Sequence, residues 1–282
     1  MKKVLLVVIV SCVGLGISWG GDGPKTLTQA WALANTMASA EKPLKKSYPE
    51  GQVKEIHLAI QRGKIRVIPS RGPIELDILR LDHVEHCDIS TTLQNGALHV
   101  IAKTKGWLWG SGNLGDGIKI PYNEKSACSV AITISAPPDR FLSLAGSYAN
   151  IFVTKWDGSV KLSMDHAQAR LDGVEGSLSS DSVSSDIKGT LGSPKVEISS
   201  VSGSLHLAWS KVPYPDKVEI SEVRSDSVLE FPKTAHVSLE KSGWATILNQ
   251  FENNGRRNER GKMTQIQFSG VGGTLQIVKS AN

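Results

Sequence analysis

The densest group of residues that could do chemistry is the run from Asp82 to Asp88, which contains two histidines, a cysteine and three carboxylates. These are the side chains that bind zinc or copper in proteins. On an extended strand, however, His83 and His86 point to opposite faces, and only a bulge would bring them together. We therefore interpret the run as the charged end of a strand and expect no metal and no other cofactor.

A second group resembles the parts of a hydrolytic triad. Ser163, Asp165 and His166 lie close together in the sequence. Triads are assembled from separated segments, and no nucleophile elbow surrounds this serine. The serines and aspartates of residues 179–186 could collect calcium, but calcium-binding repeats use a denser glycine and aspartate pattern. We interpret both groups as exposed strand and turn residues, and the sequence predicts no catalytic residue.

Two further groups could contact a partner. Trp107 and Trp109 alternate with Leu108 in a glycine-rich loop, so both indoles face one way and could stack on a sugar or lie at a membrane surface. They could equally fold over an exposed edge of the domain. A basic group near the C-terminus could bind an anionic glycan, a lipid headgroup or an acidic protein, or could simply be a solvated loop. It consists of Arg256, Arg257, Arg260 and Lys262.

The N-terminus has the features of an export signal. Lys2 and Lys3 precede an apolar stretch that ends in small residues, which predicts a signal peptide over residues 1–20. The stretch is too short and too interrupted by glycine to span a membrane well, so we expect no transmembrane span in the mature chain. Removing both lysines lowers the formal net charge from +5 to +3, which is too mild to indicate nucleic-acid binding. Alternatively, Cys12 fits a loose lipobox and would be lipidated.

Two cysteines remain in the mature chain, Cys87 and Cys128. In an exported protein they could form one disulfide. They could also be two separate buried thiols, which behave as small apolar residues. The separation in sequence does not fix the distance between the two Cα atoms, so both alternatives stay open.

The chain changes character near residue 52. Residues 21–51 form a predicted linker with a short helix, since six apolar residues share one helical face. These are Leu27, Ala30, Trp31, Ala34, Met37 and Ala38. From residue 52 to residue 280, apolar and polar residues alternate in short runs next to turn residues, which predicts an all-β domain.

A five-residue sequence motif, called the phrase below, recurs in the second half of that domain. It consists of an apolar residue, any residue, a glycine, a serine or threonine, and finally a leucine or valine. Its copies begin at Trp156, Val174, Ile187, Val201 and Val271. Such self-similarity is typical of stacked repeats. It favours a β-solenoid, a β-helix-like stack of short strands, over an antiparallel sandwich. The uneven intervals indicate more than one strand in each coil.

Three features together resemble the bacterial putative-adhesin β-solenoid family, which is grouped with the head domain of autotransporter-like adhesins. They are Gly-Lys-Ile-Arg-Val at 63–67, Val-Ala-Ile-Thr-Ile at 130–134 followed by Ala136 and Pro137, and the glycine-serine phrases. The resemblance covers roughly residues 52–280. It implies a solenoid fold in an exported or membrane-linked protein, and it supplies no catalytic residues.

Taken together, these features predict an exported, non-enzymatic β-solenoid that serves as a binding, adhesion or structural module at the bacterial cell envelope. The chain would be periplasmic, attached to the envelope or secreted. Its expected partner is a glycan or an envelope protein, and not nucleic acid. One alternative is a carbohydrate-active lyase or hydrolase built on a β-helix, which would need clustered carboxylates, arginine or lysine on one face. The other is a lipidated envelope protein with a scaffolding or signalling role.

Overall fold

A computed structural model describes residues 43–82, 87–105, 127–209, 217–251 and 263–280. All of them belong to one unit, Glu41–Asn282. Within these ranges the chain forms β-strands and one 3₁₀ turn, Glu50–Gln52. The predicted all-β class is confirmed. The predicted signal peptide and the helix expected over residues 27–38 lie outside the described residues, whereas strand β1 lies inside the segment interpreted as a linker.

The described strands are β1 (Leu44–Tyr48), β2 (Glu55–Pro69), β3 (Ile74–Asp82), β4 (Cys87–Gln94), β5 (Ala97–Thr104), β6 (Ser129–Ala136), β7 (Phe141–Trp156), β8 (Val160–Asp165), β9 (Gln168–Val174), β10 (Leu178–Val183), β11 (Ser185–Leu191), β12 (Lys195–Ala208), β13 (Lys217–Phe231), β14 (Val237–Gly243), β15 (Thr246–Asn249), β16 (Thr264–Gly270) and β17 (Gly273–Lys279).

Most of these strands lie in two parallel stacks. In the first stack, Leu142, Val160, Leu178 and Val196 occupy equivalent positions of β7, β8, β10 and β12. The second stack contains β9 and β11 at the corresponding levels. The long strands β2, β7, β12 and β13 bend, so that each contributes its first half to one stack and its second half to the other. A pair of strands at one level is called a rung below.

The pairings also close on themselves. β7 pairs with β8 and β9, these pair with β10 and β11, and both of those pair with β12. The result is a ring of six parallel strands. Residues at equivalent positions of successive rungs in this ring are 18 residues apart in the sequence. Ser159 and Ser177 are one such pair, and their hydroxyls are 2.7 Å apart.

The two ends of the stacks are built differently. At one end, antiparallel strands cover the outer edges of the first rung: β4 pairs with β5, β3 pairs with β6, and β1 pairs with β3. At the other end, β16 and β17 lie between β13 and the β14–β15 rung. The last strands of the sequence are therefore not the last in space, and β14 and β15 pair along one edge only among the described residues.

Strand β14 carries a charge at a core-facing position. Lys241 is paired with Phe268, which is in turn paired with Ile220. Phe268 and Ile220 are 2% and 1% exposed, whereas Lys241 is exposed. A lysine at such a position of a terminal strand hinders the pairing of that edge with another chain.

The core follows from the alternation in the sequence. Inward-facing positions of successive strands carry valine, leucine and isoleucine, and Leu142, Val160, Leu178, Val196 and Val218 are each at most 1% exposed. Burying apolar surface contributes about 25 cal/mol per Å² to the stability of the fold. Rows of aliphatic side chains that run from rung to rung are therefore the main stabilising feature of both stacks.

The repeated phrase occupies three environments. Trp156 and Val174 lie at the bend from the second stack to the first and are fully buried. Val201 and Val271 lie at the opposite bend and are 48% and 63% exposed. The copy that begins at Ile187 lies inside β11. The phrase therefore does not mark one repeated structural position.

The glycine of the phrase has one function at both bends. A Cβ on Gly176 would lie 2.1 Å from the carbonyl oxygen of Gly158, and one on Gly203 would lie 2.0 Å from that of Ser185. Gly203 also has a φ of +123°, which favours glycine. The recurrent glycines thus allow neighbouring rungs to approach each other at the bends.

Candidate binding surface

In-register parallel pairing places the outward side chains of successive strands in straight rows. One row on the second stack is formed by Arg66 of β2, Phe152 of β7, Arg170 of β9, Lys188 of β11 and His206 of β12. We call these five residues the cationic row. Neighbouring strands lie about 4.8 Å apart, so the row extends over about 19 Å.

The charges of this row are available to a partner. Arg66, Arg170 and Lys188 are exposed, and among the described residues none of the three forms an ion pair. Phe152 is half-buried, and the ammonium of Lys64 lies 4.9 Å from the centre of its ring. This cation–π contact orients the ring and adds a further positive charge beside the row.

Acidic residues border the row on both sides, but they bind hydroxyl and amide groups of the neighbouring rungs. Asp172 accepts a hydrogen bond of 3.2 Å from the hydroxyl of Thr190. Asp186 accepts bonds of 3.1 Å and 2.6 Å from the backbone N–H and the hydroxyl of Ser204. At the end of the row, the Nε2 atom of His206 lies 3.5 Å from a carboxylate oxygen of Glu230. The positive strip is therefore narrow and has defined borders.

The outer face of the first stack carries two neighbouring lysines whose charges are compensated. Lys195 forms an ion pair with Glu197, and Lys217 forms one with Glu219. The hydrogen bond and charge of Glu197 raise the pKa of Lys195. The hydrogen bond from Lys217 lowers the pKa of Glu219. These pairs leave little net charge for a partner at that position.

Two histidines stack on neighbouring strands near the other end of the first stack. The rings of His57 and His99 are 4.6 Å apart with an angle of 15° between their planes. Nε2 of His57 lies 3.1 Å from a carboxylate oxygen of Glu55. Burial, and then the charge of His57, lowers the pKa of His99. Among the described residues, no three histidine, cysteine or acidic side chains are grouped to hold a metal ion.

Among the described residues, one carboxylate is buried, that of Glu222, which is 4% exposed. One of its oxygens accepts a hydrogen bond from the hydroxyl of Ser227, and the other has no hydrogen-bond partner in the described part of the chain. Burial raises the pKa of Glu222, and the charge of Asp226 adds to this effect, whereas the bond from Ser227 opposes it.

The structure joins the two cysteines whose pairing the sequence left open. Cys87 and Cys128 form a disulfide, and their Cα atoms are 4.9 Å apart. Beside it, the side-chain oxygen of the buried Gln61 accepts hydrogen bonds from the backbone N–H and the hydroxyl of Thr104, at 2.8 Å and 2.7 Å. It also accepts one from the N–H of Cys128 at 3.4 Å. These bonds attach the disulfide to β2 and β5.

The partner-binding residues predicted from the sequence lie outside the described residues: Trp107, Trp109, Arg256, Arg257, Arg260 and Lys262. His83 and His86 lie outside them as well. Of the triad-like group, the Nδ1 atom of His166 lies 2.6 Å from Asp165, at a bend where His166 has a φ of +50°.

Sequence reasoning did not find the cationic row. Phe152, Arg170, Lys188 and His206 follow one another at the spacing of 18 that also separates Thr190 from Asp172. That period is the signal that could have revealed them. It was hidden because the copies of the glycine phrase lie at two different bends and inside β11, so the intervals between them are uneven.

No helix among the described residues is long and apolar enough to cross a membrane.

Comparisons with known proteins gave structural similarities at low sequence identity. No protein-family model matches the chain. No curated protein matches it either. A solved structure described as a "putative adhesin" from Bacteroides fragilis is 14% identical, with a TM-score of 0.48 over 84% of this chain and 98% of that one. A "putative cell adhesion protein" from Clostridium sporogenes is 9% identical, with a TM-score of 0.34 over 85% and 100%. A "putative lipid binding protein" from Parabacteroides distasonis is 12% identical, with a TM-score of 0.34 over 86% and 98%.

Proposed function

We propose that this chain is an exported, non-enzymatic β-solenoid that acts as a binding module at the bacterial cell envelope. The observation that carries the proposal is the presence of straight, in-register rows of outward side chains. One of them, the cationic row, carries three exposed cations that form no ion pair among the described residues. The solenoid interpretation is supported by the parallel pairing of rungs and by the advance of 18 residues.

The form of the surface supports binding of an extended partner. A row that presents one side chain from each rung offers repeated contacts along a line. Individually weak contacts then act together, because the first contact raises the effective concentration for the next. The charged groups of the row lie on an open face. We therefore propose recognition of a long glycan or envelope protein in preference to chemistry on a small substrate.

Export is supported by two independent features. Residues 1–20 have the pattern of a signal peptide. The pair Cys87 and Cys128 forms a disulfide. Disulfides form and persist in oxidising compartments and are rare in the reducing cytosol.

The experiment is to express the full chain with its own leader and to fractionate the cells. We expect the protein in the exported fraction, with a mass that reports cleavage of the leader and no free thiol at Cys87 or Cys128. The purified protein should sediment with envelope fragments, and heat-unfolded protein serves as the control. Retention in the cytosol with free thiols, or the absence of sedimentation by folded protein, would contradict the proposal.

A further inference from the structure

We propose that the cationic row binds a single linear chain of an acidic polysaccharide, with Arg66, Arg170 and Lys188 contacting its acid groups and Phe152 contacting a sugar ring. This inference rests on the proposed function, because it names the partner of the same surface.

The first argument is the arrangement of charge. Arg170 and Lys188 are paired directly on neighbouring strands. Like charges directly opposite each other on a sheet destabilise it. On the first stack, the lysines of neighbouring strands each have a glutamate partner. The second stack keeps its cations without such partners in the described part of the chain, which leaves them free to pair with groups of another molecule.

The second argument is the order of side chains along the row. Phe152 lies between Arg66 and Arg170. A guanidinium presents a planar fork of donors that matches a carboxylate or a sulfate. An aromatic face accommodates the apolar C–H face of a sugar ring. Cation, aromatic ring and cation in succession therefore suit a polymer in which acid groups and ring faces alternate.

The third argument is the width of the positive strip. Asp172 and Asp186 lie on the rows at its two sides, fixed by hydrogen bonds to Thr190 and Ser204. A nucleic-acid duplex or an anionic membrane surface would extend beyond the strip and meet these carboxylates. A single polysaccharide chain would contact the cations alone. The length of the row, about 19 Å, spans several sugar units, unlike a single headgroup.

The test measures binding of the full, folded protein to polygalacturonate, with neutral dextran, duplex DNA and vesicles of anionic phosphatidylglycerol as comparison probes. The test variant is Arg170→Gln/Lys188→Gln. The matched control is Lys195→Gln/Lys217→Gln, which removes the same net charge from the opposite stack. Thermal melting confirms that each variant is folded.

We expect wild-type protein to bind polygalacturonate more weakly as salt increases, and not to bind dextran. The affinity of the test variant for polygalacturonate should fall about tenfold or more, because hydrogen bonds between charged groups are stronger than those between neutral groups. The affinity of the control should change by about twofold or less. Equal losses in both variants would show that net charge alone acts and would overturn the inference. Stronger binding to DNA or to the vesicles would also overturn it.

The same measurement separates this inference from the proposed function. If the protein sediments with envelope fragments but binds no polygalacturonate, the acidic polysaccharide is wrong and the binding module stands. If the protein neither sediments with envelope fragments nor binds polygalacturonate, both proposals fail.

Discussion

The buried carboxylate of Glu222 offers the sharpest test of the structure. Its side chain is buried, one oxygen lacks a hydrogen-bond partner among the residues that the structure describes, and burial raises its pKa. A group whose pKa is raised on folding binds its proton more tightly in the folded state. Its contribution is most favourable below the pKa of the unfolded chain, about 4.3, and is lost as the pH rises through the folded pKa.

Glu222→Gln should therefore stabilise the protein at pH 8 and change little at pH 4. Glutamine keeps an oxygen that can accept the bond from Ser227 and carries no charge. Relieving one unsatisfied buried group contributes about 1–3 kcal/mol to the free energy of unfolding. For a domain of this size that corresponds to an increase of about 2–12 °C in Tm. At pH 4 we expect a difference of about 0.5 kcal/mol or less, because the glutamate is then protonated and resembles the amide.

The assay is denaturant-induced unfolding of both proteins at pH 4, 6 and 8, with Glu219→Gln as the control. Glu219 has a lowered pKa because of Lys217, so its contribution is present above the unfolded pKa and is lost as the pH falls. The control should therefore lose a little stability at pH 8 and none at low pH. If Glu222→Gln destabilises the protein equally at pH 4 and pH 8, the ionised carboxylate is not penalised, and the reasoning from burial is wrong.

Three further predictions concern the frame of the fold. Replacing Cys87 and Cys128 by serine opens a loop of 41 residues and should lower the free energy of unfolding by about 4 kcal/mol, measured against wild type without reductant; an unchanged midpoint would contradict this. Gly176→Ala should lower the free energy of unfolding by about 1–3 kcal/mol or more, because the added Cβ meets a carbonyl oxygen of the next rung. Gly51 has open space around it, so Gly51→Ala should change the free energy of unfolding by about 0.5 kcal/mol or less. Lys241→Ile should cause concentration-dependent self-association in analytical ultracentrifugation, since it replaces the positive charge at a core-facing position of the terminal strand by an apolar side chain; a strictly monomeric variant would refute this role.

The fold class could be predicted from the sequence because alternation is a local property. In β2, Ile65 and Val67 are fully buried while Lys64 and Arg66 are exposed, as the period of two requires. The recurrence of glycine was also readable as a sign of stacked repeats, whereas the close approach of one rung to the next at these glycines is visible only in the structure. Alternation depends on a residue and its immediate neighbours.

The candidate surface could not be predicted in the same way. Whether Arg170 lies beside Lys188 depends on which strands are neighbours and in which register, and this is fixed by the packing of the whole core. The repeated phrase did not supply that register, because Val174 is buried at one bend and Val201 is exposed at the other. The binding residues proposed from composition and local spacing, Trp107 and Trp109, remain predictions.

Local alternation along the chain is enough to assign it to the all-β class and to identify the buried face of its strands. The three-dimensional pairing was needed to place β16 and β17 inside the stack, to join Cys87 to Cys128 and to bring distant cations into one row. Alternation fixes how a strand is oriented relative to the core, but it does not select the neighbours of that strand. Its neighbours are chosen by burial and hydrogen bonding summed over residues far apart in the chain.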